Sequence, residues 1–275
     1  MNTIAALRTT NRILGLLAPD FTARVARRRL LRPHLPARAS AAERAALADA
    51  APVTFRFGHA GLRWGASGPV VLLLHGWGGR PTQFHAIPRA LAGRGLRAVA
   101  LDGPAHGRTR FGFAHPASFA EALHEVAAEL RDVHAIVGHS MGAGATLLAL
   151  SEGLVANRVV SIAAASSMTG VLRRFADALA LPDVAADRFI GGVERIVGRP
   201  AEDLDVRRLA AGIHIPGLVV HDSGDRHVPY ADATRVASAW PAARLLTTHG
   251  LGHNRILSDP AVVAEVVEFV AGASG

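Results

Sequence analysis

The sequence predicts an α/β fold, a mostly parallel sheet flanked by helices, and three observations carry that expectation. From Val53 onward, short apolar runs of strand length alternate with longer runs of helical period, the pattern of successive βα units. The run Val70–Leu74 is uninterruptedly apolar, as a parallel strand buried on both faces requires. Half of the 275 residues are hydrophobic and 19% are charged, enough apolar surface to offset the ordering of a large core and too much for a disordered chain.

Taken in order, residues 1–52 form a basic helical extension. Leu14, Leu17, Phe21 and Val25 recur at helical spacing, and Arg24, Arg27, Arg28, Arg29, Arg32 and Arg38 cluster around them. Pro33 and Pro36 break that pattern before a second short helical run, Ala41–Ala50. The main domain spans 53–275. It begins with a strand pair, Val53–Phe57 and Leu62–Trp64. Strands are then expected at Val70–Leu74, Leu96–Leu101, Val133–Val137, Arg158–Ala163, Gly217–Val220 and Arg244–Thr247. Helices are expected at Thr82–Ala92, Ala117–Leu130, Met141–Glu152, Ala231–Ala239 and Pro260–Ala271. Residues 167–212 interrupt this rhythm with helical patterning too long for a loop, and are expected to form an inserted cap.

Cysteine is absent, which excludes disulfides, thiolate catalysis and Cys-ligated zinc or iron–sulfur centres. The net charge of +8 comes from arginine alone, since there is no lysine, and the surplus sits in the first fifth of the chain. A packed N-terminal helix with a solvated basic face is the expectation there. Contact with a membrane surface is the alternative, and nucleic acid is not expected, because no recognition motif accompanies the charge. No apolar stretch reaches the ~18 residues of a membrane span. The early run Ile13–Ala18 is short for a secretory signal and ends at Pro19 and Asp20, so a cytoplasmic protein is expected.

The chemistry starts at Gly138-His139-Ser140-Met141-Gly142, which fits G-x-S-x-G between an apolar strand and a helix. The two glycines permit a sharp turn that lifts the serine hydroxyl clear of the sheet edge. Serine is a weak nucleophile alone and needs a histidine to take its proton and an acid to orient that histidine. Asp225 and His253 follow Ser140 in the expected order, each in a loop after a strand. Asp222 and His249 are their rivals. Asp225 is preferred because it lies beyond the turn at Gly224, and His253 because Gly250 and Gly252 free its loop. Backbone N–H groups must then face the developing oxyanion. Met141 at the helix start and Trp77 within His75-Gly76-Trp77-Gly78-Gly79 are the candidates. The Trp77 indole suits either a pocket wall or a contact with the cap.

Together these segments, with Asp102-Gly103-Pro104-Ala105-His106-Gly107-Arg108, resemble the α/β-hydrolase superfamily, its serine esterase and lipase-like branch, over about Val53 to Ala271. The resemblance implies an eight-stranded sheet with a small helical cap, a Ser140-Asp225-His253 triad, an oxyanion hole from Trp77 and Met141, and neither metal nor organic cofactor. Ala105 departs from the usual pattern, which has glycine there. Asp102 and His106 are expected to stabilise that turn rather than react. The implied reaction is hydrolysis of a small-molecule carboxylic ester or thioester through an acyl-enzyme. Carbon–carbon bond hydrolysis and cofactor-free perhydrolysis use the same residues and stand as alternatives, with a non-catalytic ligand-binding member behind them. Apolar cap residues, among them Met168, Val171, Leu172 and Phe175, point to an apolar acyl or aryl group.

Overall fold

The computed structural model describes residues 3–33 and 38–272, so Pro36 lies outside the described residues. Its elements are, in order, α1 (Thr3–Leu17), α2 (Pro19–Leu31), α3 (Ala41–Leu47), β1 (Ala51–Thr54), β2 (Ala60–Trp64), β3 (Val70–Leu74), α4 (Ala86–Gly93), β4 (Arg97–Asp102), α5 (Pro116–Leu130) and β5 (Val133–His139). There follow α6 (Met141–Ser151), β6 (Arg158–Ile162), α7 (Met168–Ala178), α8 (Asp183–Val197), α9 (Val206–Ala211), β7 (Gly217–Asp222), α10 (Tyr230–Ala239), β8 (Ala243–Thr248), α11 (Gly252–Arg255) and α12 (Pro260–Ala271).

The strands form one eight-stranded sheet in the order β1-β2-β4-β3-β5-β6-β7-β8. Only β1/β2 and β2/β4 are antiparallel; every other pair is parallel. Along β3 the side chains alternate between two cores. Val71 and Leu73 join α4 and α12 on one face, while Val70, Leu72 and Leu74 join α5 and α6 on the other. Successive crossovers from β3 run to opposite sides, to β4 and then to β5. Their diverging carboxyl ends open a crevice at the point where the winding reverses, the place where open parallel sheets bind ligands.

The first hairpin differs from expectation. β1 ends at Thr54 rather than Phe57, because Phe57 takes a φ of 61° and the Phe55 N–H turns back to the His59 carbonyl at 2.8 Å. Pro52 is accommodated because β1 is an edge strand. The helix expected over Thr82–Ala92 is split into a 3₁₀ turn at Pro81–Phe84 and α4.

Between β6 and β7, α7, α8 and α9 rise over the carboxyl edge of the sheet. α2 packs onto this insertion. It starts with Pro19 at its first turn, keeps Asp20 near its positive end and Arg28 and Arg29 near its negative end. Its inner residues Ala23, Ala26 and Leu31 share a core with Leu172, Ala185 and Phe189. α1 is tied to the end of α7 by Arg8, which donates to the Ala178 carbonyl at 2.7 Å, and by Asn11, which donates to Leu179 at 2.9 Å.

α3 is held by a capping box in which Ser40 and Glu43 exchange hydrogen bonds. The buried Glu43 carboxylate also accepts from Arg80 at 2.7 Å and Thr82 at 3.2 Å. Burial alone would raise its pKa, but the hydrogen bonds from Arg80 and Ser40 prevail and lower it from the ordinary 4.5 to about 2. The unfolded chain therefore takes up this proton first, and the stability Glu43 contributes is lost as pH falls from about 4.5 to about 2. In urea titrations across that window, the wild type loses stability more steeply than Glu43→Gln, so the gap between the two narrows as pH drops.

Candidate active site

Ser140 occupies the sharp turn between β5 and α6 with φ 54° and ψ −119°, a left-handed conformation that costs a non-glycine residue about 1–3 kcal/mol. Three bonds hold it there. Its N–H donates to the Ile162 carbonyl at 2.8 Å, and its carbonyl accepts from Ala143 and Gly144 at 3.1 and 3.2 Å. The turn closes only because its neighbours lack side chains. A Cβ on Gly142 would lie 2.2 Å from the Leu74 carbonyl oxygen, one on Gly138 would lie 2.5 Å from Ala143 Cα, and one on Gly76 would lie 2.8 Å from Ser140 Cβ.

His253 sits on the four-residue helix α11, an element too short to read from the sequence. Its Nδ1 lies 2.6 Å from Asp225 Oδ2. The other oxygen of Asp225 accepts from the N–H groups of His227 and Val228 at 2.7 and 3.0 Å. Burial would raise the pKa of this side chain, but the hydrogen bonds from His253 and from the Val228 and His227 amides lower it to about 2. Asp225 is thus a carboxylate at neutral pH, and His253 Nδ1 carries the shared proton, which leaves Nε2 as the basic nitrogen. Buried His139 lies under this pair. Its ring is 4.7 Å from that of His253, and its Nε2–H donates to the His253 carbonyl at 2.9 Å. Burial drives its pKa down to about 3, so it is a neutral support.

The rivals have other tasks. Asp222 is fully buried and closes the loops around it, accepting from Gly224, Thr248 and Leu251 at 2.9 Å each. His249 is exposed and paired with Ser223 at 2.7 Å. His227, which also follows Asp225 in the chain, lies beside His253 with ring centroids 5.0 Å apart and the two rings tilted by 33°. Ligand atoms of Asp225, His227 and His253 lie within 4.8 Å of one another, but three N–H donors already occupy the carboxylate oxygens.

The loop after β3 is built on two neutral histidines. Buried His75 donates from Nδ1 to the Gly76 carbonyl at 2.8 Å and accepts from the Gly103 N–H at 3.1 Å. His106 donates from Nδ1 to the Pro104 carbonyl at 2.8 Å and accepts from the Gly78 N–H at 2.9 Å. Each ring needs one donor and one acceptor nitrogen, and burial lowers both pKa values, that of His75 to about 3. Through His106 the Asp102-to-Arg108 turn grips the residue next to Trp77, a link the sequence did not reveal. Asp102 accepts from the Arg108 N–H at 3.3 Å within that turn. Ala105 adopts φ 62°, so the turn keeps the left-handed backbone although alanine replaces the expected glycine. Among the described residues, neither the Trp77 nor the Met141 N–H donates to a backbone carbonyl.

Ser140, Met141, Trp77 and His253 line one cavity of about 600 Å³. Its walls are mostly apolar: Met168, Val171, Leu172 and Phe175 come from the insertion, and Leu30 and Leu31 from α2. The Trp77 indole belongs to both settings foreseen for it. It lines the cavity, lies edge-on to Phe175 at 6.4 Å, and donates to the Leu30 carbonyl at 2.6 Å.

A profile described as "Alpha/beta hydrolase family" matches residues 71–266. The chain belongs to that family. Its sequence is 29% identical over 251 residues to a pimeloyl-[acyl-carrier protein] methyl ester esterase of Aromatoleum aromaticum, covering 74% of this chain and 98% of that protein. Its fold is similar to that of the carboxylesterase CesB of Bacillus subtilis, with a TM-score of 0.61 and 19% identity over 85% of this chain and 97% of the other. It is also similar to a membrane phospholipase A, with a TM-score of 0.65 and 18% identity over 95% and 96% of the two chains.

The space at Gly142 gives a direct check on this α/β hydrolase. Gly142→Ala forces β3 and α6 apart and lowers unfolding stability by about 1–3 kcal/mol, read as a reduced urea midpoint at unchanged slope.

Proposed function

We propose that this chain is a serine esterase that cleaves a carboxylic ester, or a thioester, through an acyl-enzyme. The observation that carries the reading is the meeting of a strained serine and an aspartate-bound histidine on one apolar cavity. Ser140 Oγ attacks the substrate carbonyl carbon while His253 Nε2 takes its proton, and Asp225 holds the imidazolium that results. The oxyanion accepts from the N–H groups of Trp77 and Met141, the latter at the positive end of α6. His253 returns the proton to the departing alcohol or thiol. Water then enters, gives a proton to His253, attacks the acyl carbon and releases the acid as Ser140 regains its proton.

The cavity favours an apolar acyl or aryl group, since the insertion and α2 supply hydrocarbon walls around Ser140. The esterase named for the relative from Aromatoleum aromaticum supports ester cleavage over carbon–carbon or peroxide chemistry.

Turnover of p-nitrophenyl esters from acetate to palmitate tests the reading. Ser140→Ala, His253→Ala and Asp225→Asn each lower kcat on the order of 10⁴-fold with the fold intact. A variant that keeps more than about a tenth of wild-type activity overturns the assignment of its residue. His106→Ala removes the acceptor of the Gly78 N–H and loosens the loop that carries Trp77. Its kcat falls on the order of ten- to a hundredfold while KM changes little, a split that steady-state kinetics reads directly.

A further inference from the structure

The outward face of α1 and α2 carries large exposed apolar side chains among its arginines. Gly15, Thr22, Ala23 and Ala26 face inward, whereas Ile13, Leu16, Leu17, Phe21 and Val25 face out, Leu17 at 78% and Phe21 at 57% exposure. Arginines border this apolar strip. Arg24, Arg28 and Arg29 are exposed beside Phe21 and Val25 on α2, and residues 3–32 hold seven arginines against one acid, Asp20. Between α2 and α8 the border deepens into a cleft of about 410 Å³, lined by Arg24, Arg27, Arg188 and Arg195. Asp20 is the one acid lining it and pairs with Arg188. Of the other acids on α8, Asp187 pairs with Arg173 and Glu194 accepts from the Ala201 N–H, while Asp183 stands at the start of the helix, away from the cleft lining. Gly192 lets the Arg27 side chain lie along α8, where a Cβ would stand 2.4 Å from Nη1.

We propose that this face docks on anionic phospholipid bilayers, with lipid phosphates in the arginine cleft and the apolar strip in the acyl boundary. Charge complementarity selects this occupant. Four guanidinium groups facing one carboxylate attract phosphate, and an apolar strip rimmed by arginine is the makeup of helices that lie in a membrane interface. α2 continues from this face to Leu30 and Leu31 on the catalytic cavity, so docking brings that cavity to the lipid surface. The inference is independent of which bond the enzyme cleaves.

Co-sedimentation of the full chain with vesicles tests it. The protein pellets with phosphatidylcholine vesicles containing about one-third phosphatidylglycerol, stays in solution with phosphatidylcholine alone, and is released by high salt. Arg24→Gln/Arg28→Gln/Arg195→Gln weakens binding on the order of a hundredfold, and Leu17→Ser/Phe21→Ser on the order of tenfold. Unchanged circular dichroism and melting temperature show that both variants fold. Equal binding to the two vesicle types, no binding to either, or wild-type binding by the arginine variant overturns the proposal. So does a wild-type dimer that Leu17→Ser/Phe21→Ser dissociates, since a second copy would then cover the face.

Discussion

The site depends on one tight crossing: the turn that bears Ser140 passes directly over the carboxyl end of β3. At Gly142 the backbone of α6 lies against the Leu74 and His75 carbonyls, closer than any side chain allows. That contact sets the height of the helix start, the left-handed backbone of Ser140, and the separation between the Met141 amide and the loop holding Trp77. A strained residue persists only where its surroundings over-determine it, and here β3, β6 and α6 each contribute a constraint.

Around that crossing, buried neutral histidines serve as connectors. His75, His106 and His139 are all shielded from water, which holds each ring uncharged and gives it one donor and one acceptor nitrogen. Each joins backbone from loops far apart in the chain. His106 ties the turn after β4 to the loop after β3, and His139 supports the backbone of His253 across 114 residues. A charged side chain in these places would need a buried counterion, whereas a neutral imidazole satisfies the backbone groups without one.

The chamber above the serine is assembled from two separate parts of the chain. The insertion between β6 and β7 supplies one wall, and α2 supplies another by packing on α8 and receiving the Trp77 indole at the Leu30 carbonyl. The N-terminal helices thus serve two surfaces at once, with small residues inward against the insertion and bulky apolar residues and arginines outward. No helix among the described residues is long and apolar enough to cross a membrane.

Local patterns in the sequence determined the order and type of the strands and of the longer helices, the G-x-S-x-G turn, and the candidacy of Asp225 and His253 by their place after successive strands. These are legible because period, glycine placement and chain order act over a few residues, and a buried strand such as Val70–Leu74 announces itself by composition. The tertiary structure alone decided which histidines meet. Nothing in the sequence distinguishes His106 as a support for Gly78, His227 as the neighbour of His253, or His249 as the partner of Ser223, because those roles arise from contacts between distant loops. The same holds for Leu30 and Leu31, which become cavity wall only when α2 lies on α8. A helix has a readable face, but which element covers that face is fixed by packing across the whole chain.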